Sequence, residues 1–186
     1  RNEHMKYISV LGICALLTAC GSTGGGGGTA TGGSAAPNET WKAVPGATNV
    51  VTGKREVMKV SVDGKDVIAV LTWRDYSAKL DGAVTKWYGD MASPPPKFVV
   101  ESLTISIDGR GTIVPQSKTR YLCSQWMNEV SHLGVYMKGK NLCVYVDLGD
   151  GGEAWTASYI VNPSTGSLLS HSVEDGPSFH NAADPT

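Results

Sequence analysis

The feature that most constrains this chain is an Asp-Gly turn that recurs between alternating apolar stretches. Val57-Met58-Lys59-Val60-Ser61-Val62 alternates, Asp63-Gly64 follows, and Val67 to Trp73 returns. Leu103-Thr104-Ile105-Ser106-Ile107 leads in the same way through Asp108-Gly109 into Thr112 to Val114. A period of two places the apolar side chains on one face of a strand. Asp-Gly suits the tight turn between such strands because both of its residues must reach positive φ. Val-Ser-Val-Asp-Gly-Lys and Ile-Ser-Ile-Asp-Gly-Arg match closely. They read either as a duplication or as two hairpins sharing one turn chemistry, and the second reading is the simpler.

The C-terminal half carries three more strand-like stretches, Leu142 to Leu148, Ala154 to Val161 and Ser167 to Val173. Asp147 to Glu153 connects the first pair. Asn162-Pro163-Ser164-Thr165-Gly166 connects the second, with proline presetting φ and glycine free to turn left-handed. Together they predict an antiparallel meander. Lys118 to Leu133 is the best helix candidate, because Leu122, Trp126, Val130 and Leu133 fall at spacings of four, four and three and would form one apolar stripe. Ser93-Pro94-Pro95-Pro96 cannot lie in a central strand. The expected class is therefore α+β and β-rich: antiparallel hairpins and a C-terminal meander with about one helix.

Before this region the chain changes character. Arg1 to His4 precede the first methionine and are set aside as vector-derived or upstream residues. From Met5, one lysine and the apolar run Tyr7 to Leu17 lead into Leu17-Thr18-Ala19-Cys20. The run is shorter than the ~20 residues a spanning helix needs. The four residues resemble a bacterial lipobox. That resemblance implies a signal peptide over 5–19, cleavage before Cys20 and acyl chains on Cys20, which would hold the protein to a membrane. Gly21 and Ser22 follow where inner-membrane retention would favour Asp, so the resemblance implies an outer-membrane anchor, with the domain expected to face the periplasm. Residues 20–40 are expected to be the lipidated cysteine and a Gly-rich tether without large apolar side chains. Residues 41–186 are expected to be a single β-rich domain with a short polar tail.

Export changes the reading of the four cysteines. On that resemblance Cys14 would leave with the signal peptide and Cys20 would take the lipid. Cys123 and Cys143 remain, and an even remainder in an oxidising compartment predicts one disulfide, closing a loop of roughly 20 residues and stabilising by about 3 kcal/mol. A metal pair or free thiols are the alternatives, but no His or Cys cluster lies nearby at a ligand spacing. Sixteen basic and 17 acidic residues nearly cancel, and no long basic run occurs, so nucleic acid is not an expected partner.

From residue 101 to 173, Ser-Ile-Asp-Gly, Thr-Ile-Val-Pro-Gln-Ser and Gly-Asp-Gly-Gly-Glu-Ala-Trp-Thr-Ala-Ser-Tyr are similar to segments of small envelope lipoproteins. That similarity supports the fold and implies no activity. Trp73, Arg74, Asp75 and Tyr76, with Trp87 and Tyr88, make an aromatic-rich region. Exposed Trp and Tyr can anchor a protein or stack on a sugar, so Trp73, Tyr76, Trp87 and Tyr88 are the candidate partner-binding residues. The competing reading puts most of them in the core. Asp147, Asp150 and Glu153 crowd one Gly-rich connection, where oxygen ligands could gather for a hard cation. Their spacing is not that of an EF-hand, and a soluble hairpin tip explains them as well, so no metal is assigned. His132, His171 and His180 show no i, i+4 pairing; His132 and His171 are expected at the surface or as caps. No Gly-x-Ser-x-Gly elbow occurs. No catalytic residue and no cofactor is assigned. The expected function is a lipid-anchored envelope binding module for a protein partner, a toxin or a glycan. An envelope hydrolase with a dispersed site and a structural subunit of an outer-membrane assembly are the alternatives.

Overall fold

Both Asp-Gly turns form. In the computed structural model Asp63 and Gly64 have φ of 50° and 76°, and Asp108 and Gly109 have 50° and 75°. The structure describes residues 41–89, 94–149 and 154–175, all within the unit Pro37–Thr186. The lipobox, Cys20, the tether, Asp150, Glu153 and His180 lie outside the described residues.

The first turn joins β3 (Arg55–Val62) to β4 (Lys65–Asp75), and the second joins β5 (Phe98–Ile107) to β6 (Arg110–Ile113). With β2 (Thr48–Thr52) at the edge these strands run in the order β2-β3-β4-β5-β6. The two-residue strand β7 (Cys123–Ser124) pairs with the start of β5. This is sheet I. The predicted meander is also present, as β9 (Asn141–Asp147), β10 (Trp155–Val161) and β11 (Leu168–Asp175). Sheet II adds β8 (Leu133–Lys138) and β1 (Trp41–Ala43) in the order β1-β8-β9-β10-β11. All strand pairings in both sheets are antiparallel.

Alternation explains how the sheets meet. Met58, Val60 and Val62 of β3 and Leu103, Ile105 and Ile107 of β5 share one buried cluster with Leu142, Val144 and Val146 of β9 and Ala157, Tyr159 and Val161 of β10. The two sheets therefore pack face to face with their in-phase residues between them. At the hairpin end, the β10–β11 turn of sheet II rests on both Asp-Gly hairpins of sheet I. Lys65 Nζ donates to Pro163 O at 2.9 Å, Arg110 to Ser164 O at 3.3 Å, and Thr112 Oγ1 to Gly166 O.

The helix expected over Lys118 to Leu133 does not form. One α-helix occurs among the described residues, α1 (Ala78–Asp81), and Gln116–Lys118 makes only a 3-10 turn. The supposed stripe is not one buried face: Leu122 is 1% exposed, whereas Trp126 and Val130 are 46% and 52% exposed. Leu122 O instead accepts from Val100 N, and Cys123 and Ser124 pair with Val99 and Phe98. Ser124 Oγ then accepts Trp126 N at 3.0 Å, a local bond that competes with helix formation. The open edge of β5 thus takes up backbone groups that a helix would have satisfied internally.

The expected Cys123–Cys143 disulfide is not formed. Cys123 pairs with Val99 in sheet I, alternating with the core residue Leu122. Cys143 alternates with core residues Leu142 and Val144 in sheet II and packs with Tyr136 on the other face. Each cysteine lies on the face of its sheet turned away from the core, so the core separates them. Burial pushes the Cys143 thiol up to about 12, which keeps it protonated.

Candidate functional site

At the end of the molecule opposite the Asp-Gly turns, the chain leaves β7 and reaches β8 through residues 125–132. Glu129 N bonds to Trp126 O at 2.9 Å, closing a turn that carries Trp126 outward. Beside this turn lies a cavity of about 380 Å3, lined by Ser124 of β7, by Trp126, Glu129, Val130, Ser131 and His132 of the connection, and by Asp147 at the end of β9 and Gly149 beyond it. This is within the size range of small-ligand pockets. Its rim carries two large side chains left open to solvent, Trp126 and Val130.

A buried carboxylate holds the connection in place. Glu56 occupies the β3 phase of Met58, Val60 and Val62 and is 0% exposed. Its Oε1 accepts from Asn49 Nδ2 at 2.6 Å, Ser131 Oγ at 2.6 Å and Leu133 N at 3.1 Å, and its Oε2 accepts from His132 N at 2.8 Å. Asn49 Nδ2 also reaches Leu133 O at 2.8 Å. A buried charge is tolerated where its lone pairs are met by fixed donors. Here the donors come from β2 and from the segment entering β8, so the Glu56 carboxylate fastens sheet I to sheet II beneath the cavity.

His132 is buried, at 3% exposed, rather than at the surface as expected. The strand ladder accounts for this: Leu133 pairs with Val146, and one step further Asp147 N bonds to His132 O at 2.7 Å. That register turns the ring inward, with Nδ1 at 2.5 Å from Asp147 O and an edge-to-face contact with Trp73 at 6.5 Å. A carbonyl only accepts, so Nδ1 carries a proton and donates to Asp147 O. Nε2 is buried and has no hydrogen-bond partner among the described residues.

The four aromatic residues singled out in the sequence do not come together. Trp73 is 1% exposed and belongs to the core, so it is no partner-binding residue; its indole Nε1 donates to Asn128 Oδ1 at 2.7 Å and supports the 125–132 connection from below. Tyr76 and Trp87, both half-buried, pack edge to face at 6.2 Å. Tyr88 packs on Trp155 at 4.8 Å, with Lys86 Nζ over both rings. Tyr88 also bridges to Leu122, which brings Gly89 so close that a Cβ would stand 1.7 Å from Cys123 O. His171 is half-buried beside the Tyr159 ring, and burial together with Lys118 lowers its pKa. On sheet I, Arg74 makes a bidentate pair with Asp81, both bonds at 2.7 Å. Hydrogen bonding to Arg74, reinforced by Ser77 N, holds the Asp81 carboxyl below its ordinary range.

Sequence reasoning missed Glu56, Asn49, Asn128, Ser131 and Glu129, and read Trp126 and Val130 as part of a helix. One of these left a trace: an acidic residue at position 56 is in phase with Met58, Val60 and Val62. Among the described residues no group of three or more His, Cys, Asp or Glu side chains is placed to hold a metal ion, and no helix is long and apolar enough to cross a membrane. Comparison with known protein families, curated proteins and solved structures finds no match.

Proposed function

We propose that this chain is a lipid-anchored envelope binding module. In this reading the acyl chains on Cys20 hold it to the outer membrane, the Gly-rich tether gives it reach, and the cavity end of the sandwich meets a partner, an envelope protein, toxin or glycan. The observation that supports it best is the pair Trp126 and Val130, exposed on the rim of a cavity whose floor is held by buried hydrogen bonds. An exposed tryptophan beside a preformed recess is the usual form of an interface anchor. Affinity purification from crosslinked envelopes tests it: the lipidated wild-type chain should retain a stoichiometric partner that Trp126→Ala loses. Equal recovery by both would remove this site from the reading.

One observation favours an envelope hydrolase instead. The His132 ring is held by Asp147 O and its Nε2 is unmatched, an orientation of the kind a positioned acid-base group has. Against it, the neighbouring Ser131 hydroxyl gives its proton to Glu56, and Ser124 Oγ accepts Trp126 N. Neither is paired with the imidazole as a nucleophile requires. Loss of a measured hydrolytic activity in His132→Ala, with the fold kept, would put the hydrolase first.

A further inference from the structure

The cavity beside Trp126 has a consistent chemical bias. Its charged lining side chains among the described residues are carboxylates, Glu129 and Asp147. Ser131 offers no free proton, since it donates to Glu56 and accepts from Asn49 Nδ2 at 2.7 Å. Trp126 supplies an exposed indole, and Val130 an apolar edge. Negative charge and an aromatic face together reject an anion and suit a group that carries positive charge on an apolar stem. We infer that the cavity binds an organic cation, an alkylammonium or guanidinium group, whose charge lies between Trp126 and Glu129 and whose stem rests on Val130. The inference rests on the binding-module reading and narrows it.

Such a cation could come from a free small molecule or from a lysine or arginine side chain of a protein. Neither source changes the recognition chemistry, and both can be tested on the full soluble domain. The probes are choline, with 3,3-dimethylbutanol as its uncharged isostere, and the acetylated, amidated forms of lysine, arginine and citrulline. Titration calorimetry should show each bound cation at least tenfold tighter than its neutral counterpart. Tight choline binding assigns a free quaternary cation; preference for the lysine or arginine derivative assigns a protein side chain.

Trp126→Ala should weaken binding about tenfold, and Glu129→Gln several-fold with a reduced salt dependence. Both positions are exposed, so the variants should unfold at the wild-type temperature. Equal affinity for cation and isostere, or affinity unchanged in both variants, overturns the inference. If the envelope partner is still lost in Trp126→Ala while no cation preference exists, the inference falls and the binding-module reading stands. If neither the partner nor any cation depends on Trp126, both fall.

Discussion

The two ends of the sandwich are built on different principles. At one end the chain turns through Asp63-Gly64 and Asp108-Gly109, where each turn is dictated by the residues that form it. At the other end the 125–132 connection is held by bonds between residues far apart in sequence. Glu56 meets Ser131, His132 and Leu133 across separations of 75 to 77 positions. The turns of the first end are written locally, and Lys65, Arg110 and Thr112 then tie them to the β10–β11 turn. The second depends on the assembled fold, and it is where the cavity, the unmatched imidazole nitrogen and the exposed tryptophan collect. Local turns need little support, whereas a buried polar network holds its shape only when every member is present.

The sharpest way to break the contrast is Glu56→Ala. It leaves donors from Asn49, Ser131, His132 and Leu133 without their acceptor. Each orphaned buried group costs about 1–3 kcal/mol, so a loss of about 3 kcal/mol or more is expected by urea unfolding. Combining Glu56→Ala with Asn49→Ala should show a coupling energy of about 0.5–3 kcal/mol.

Gly64→Ala tests the locally written end. Nothing lies within 4 Å of the added Cβ, so the cost is that of the backbone at φ 76° alone. About 1–2 kcal/mol is expected from the same unfolding measurement. Because the site is remote from the network, Gly64→Ala and Asn49→Ala should add to within about 0.5 kcal/mol.

Acid should separate the charged pair on sheet I from both ends. The Asp81 carboxyl sits below its unfolded value in the fold, so the unfolded chain binds its proton more readily. Its stabilising contribution is complete above about pH 4, near the unfolded carboxylate value, and is lost as pH falls through the lower folded value. His171 follows the same sign at higher pH: its folded pKa is lowered, so its contribution is present above about 6.5 and declines below. Asp81→Asn and His171→Gln should each flatten the stability profile in its own window, read as melting temperature against pH.

The smallest effect on stability should come from Trp126→Ala, which removes a half-exposed side chain and should move unfolding by no more than about 0.5 kcal/mol while abolishing partner capture. A drop as large as that of Glu56→Ala would mean that the rim is part of the network and not a surface presented by it. Native alkylation adds an independent check on the core: the Cys143 thiol should react only after denaturation, and peptide mapping should find it unlinked to Cys123.

Much of the fold was legible in the order of residues. Alternation in Val57 to Val62 and Leu103 to Ile107, the Asp-Gly turns and the Asn162 to Gly166 connection determined two hairpins and a meander, because strand phase and positive φ are properties of a few adjacent residues. The tertiary structure alone decided the rest. Residues 118–133 have helical spacing, yet the open edge of β5 claims Cys123 and Ser124 as a strand and bonds to Leu122 O. Cys123 and Cys143 form an even pair, yet strand alternation sets them on opposite sides of the core. His132 reads as a surface or capping residue in the sequence, and Glu56 shows there only its phase with Met58, Val60 and Val62. They are buried beside the cavity because Ser131, His132 and Leu133, 75 to 77 positions from Glu56, and Asp147 on the neighbouring strand for His132 reach them only once the sheets have met. Turn geometry is encoded where it occurs. The burial of a carboxylate or an imidazole depends on donors and acceptors brought from elsewhere, and no stretch of adjacent residues contains them.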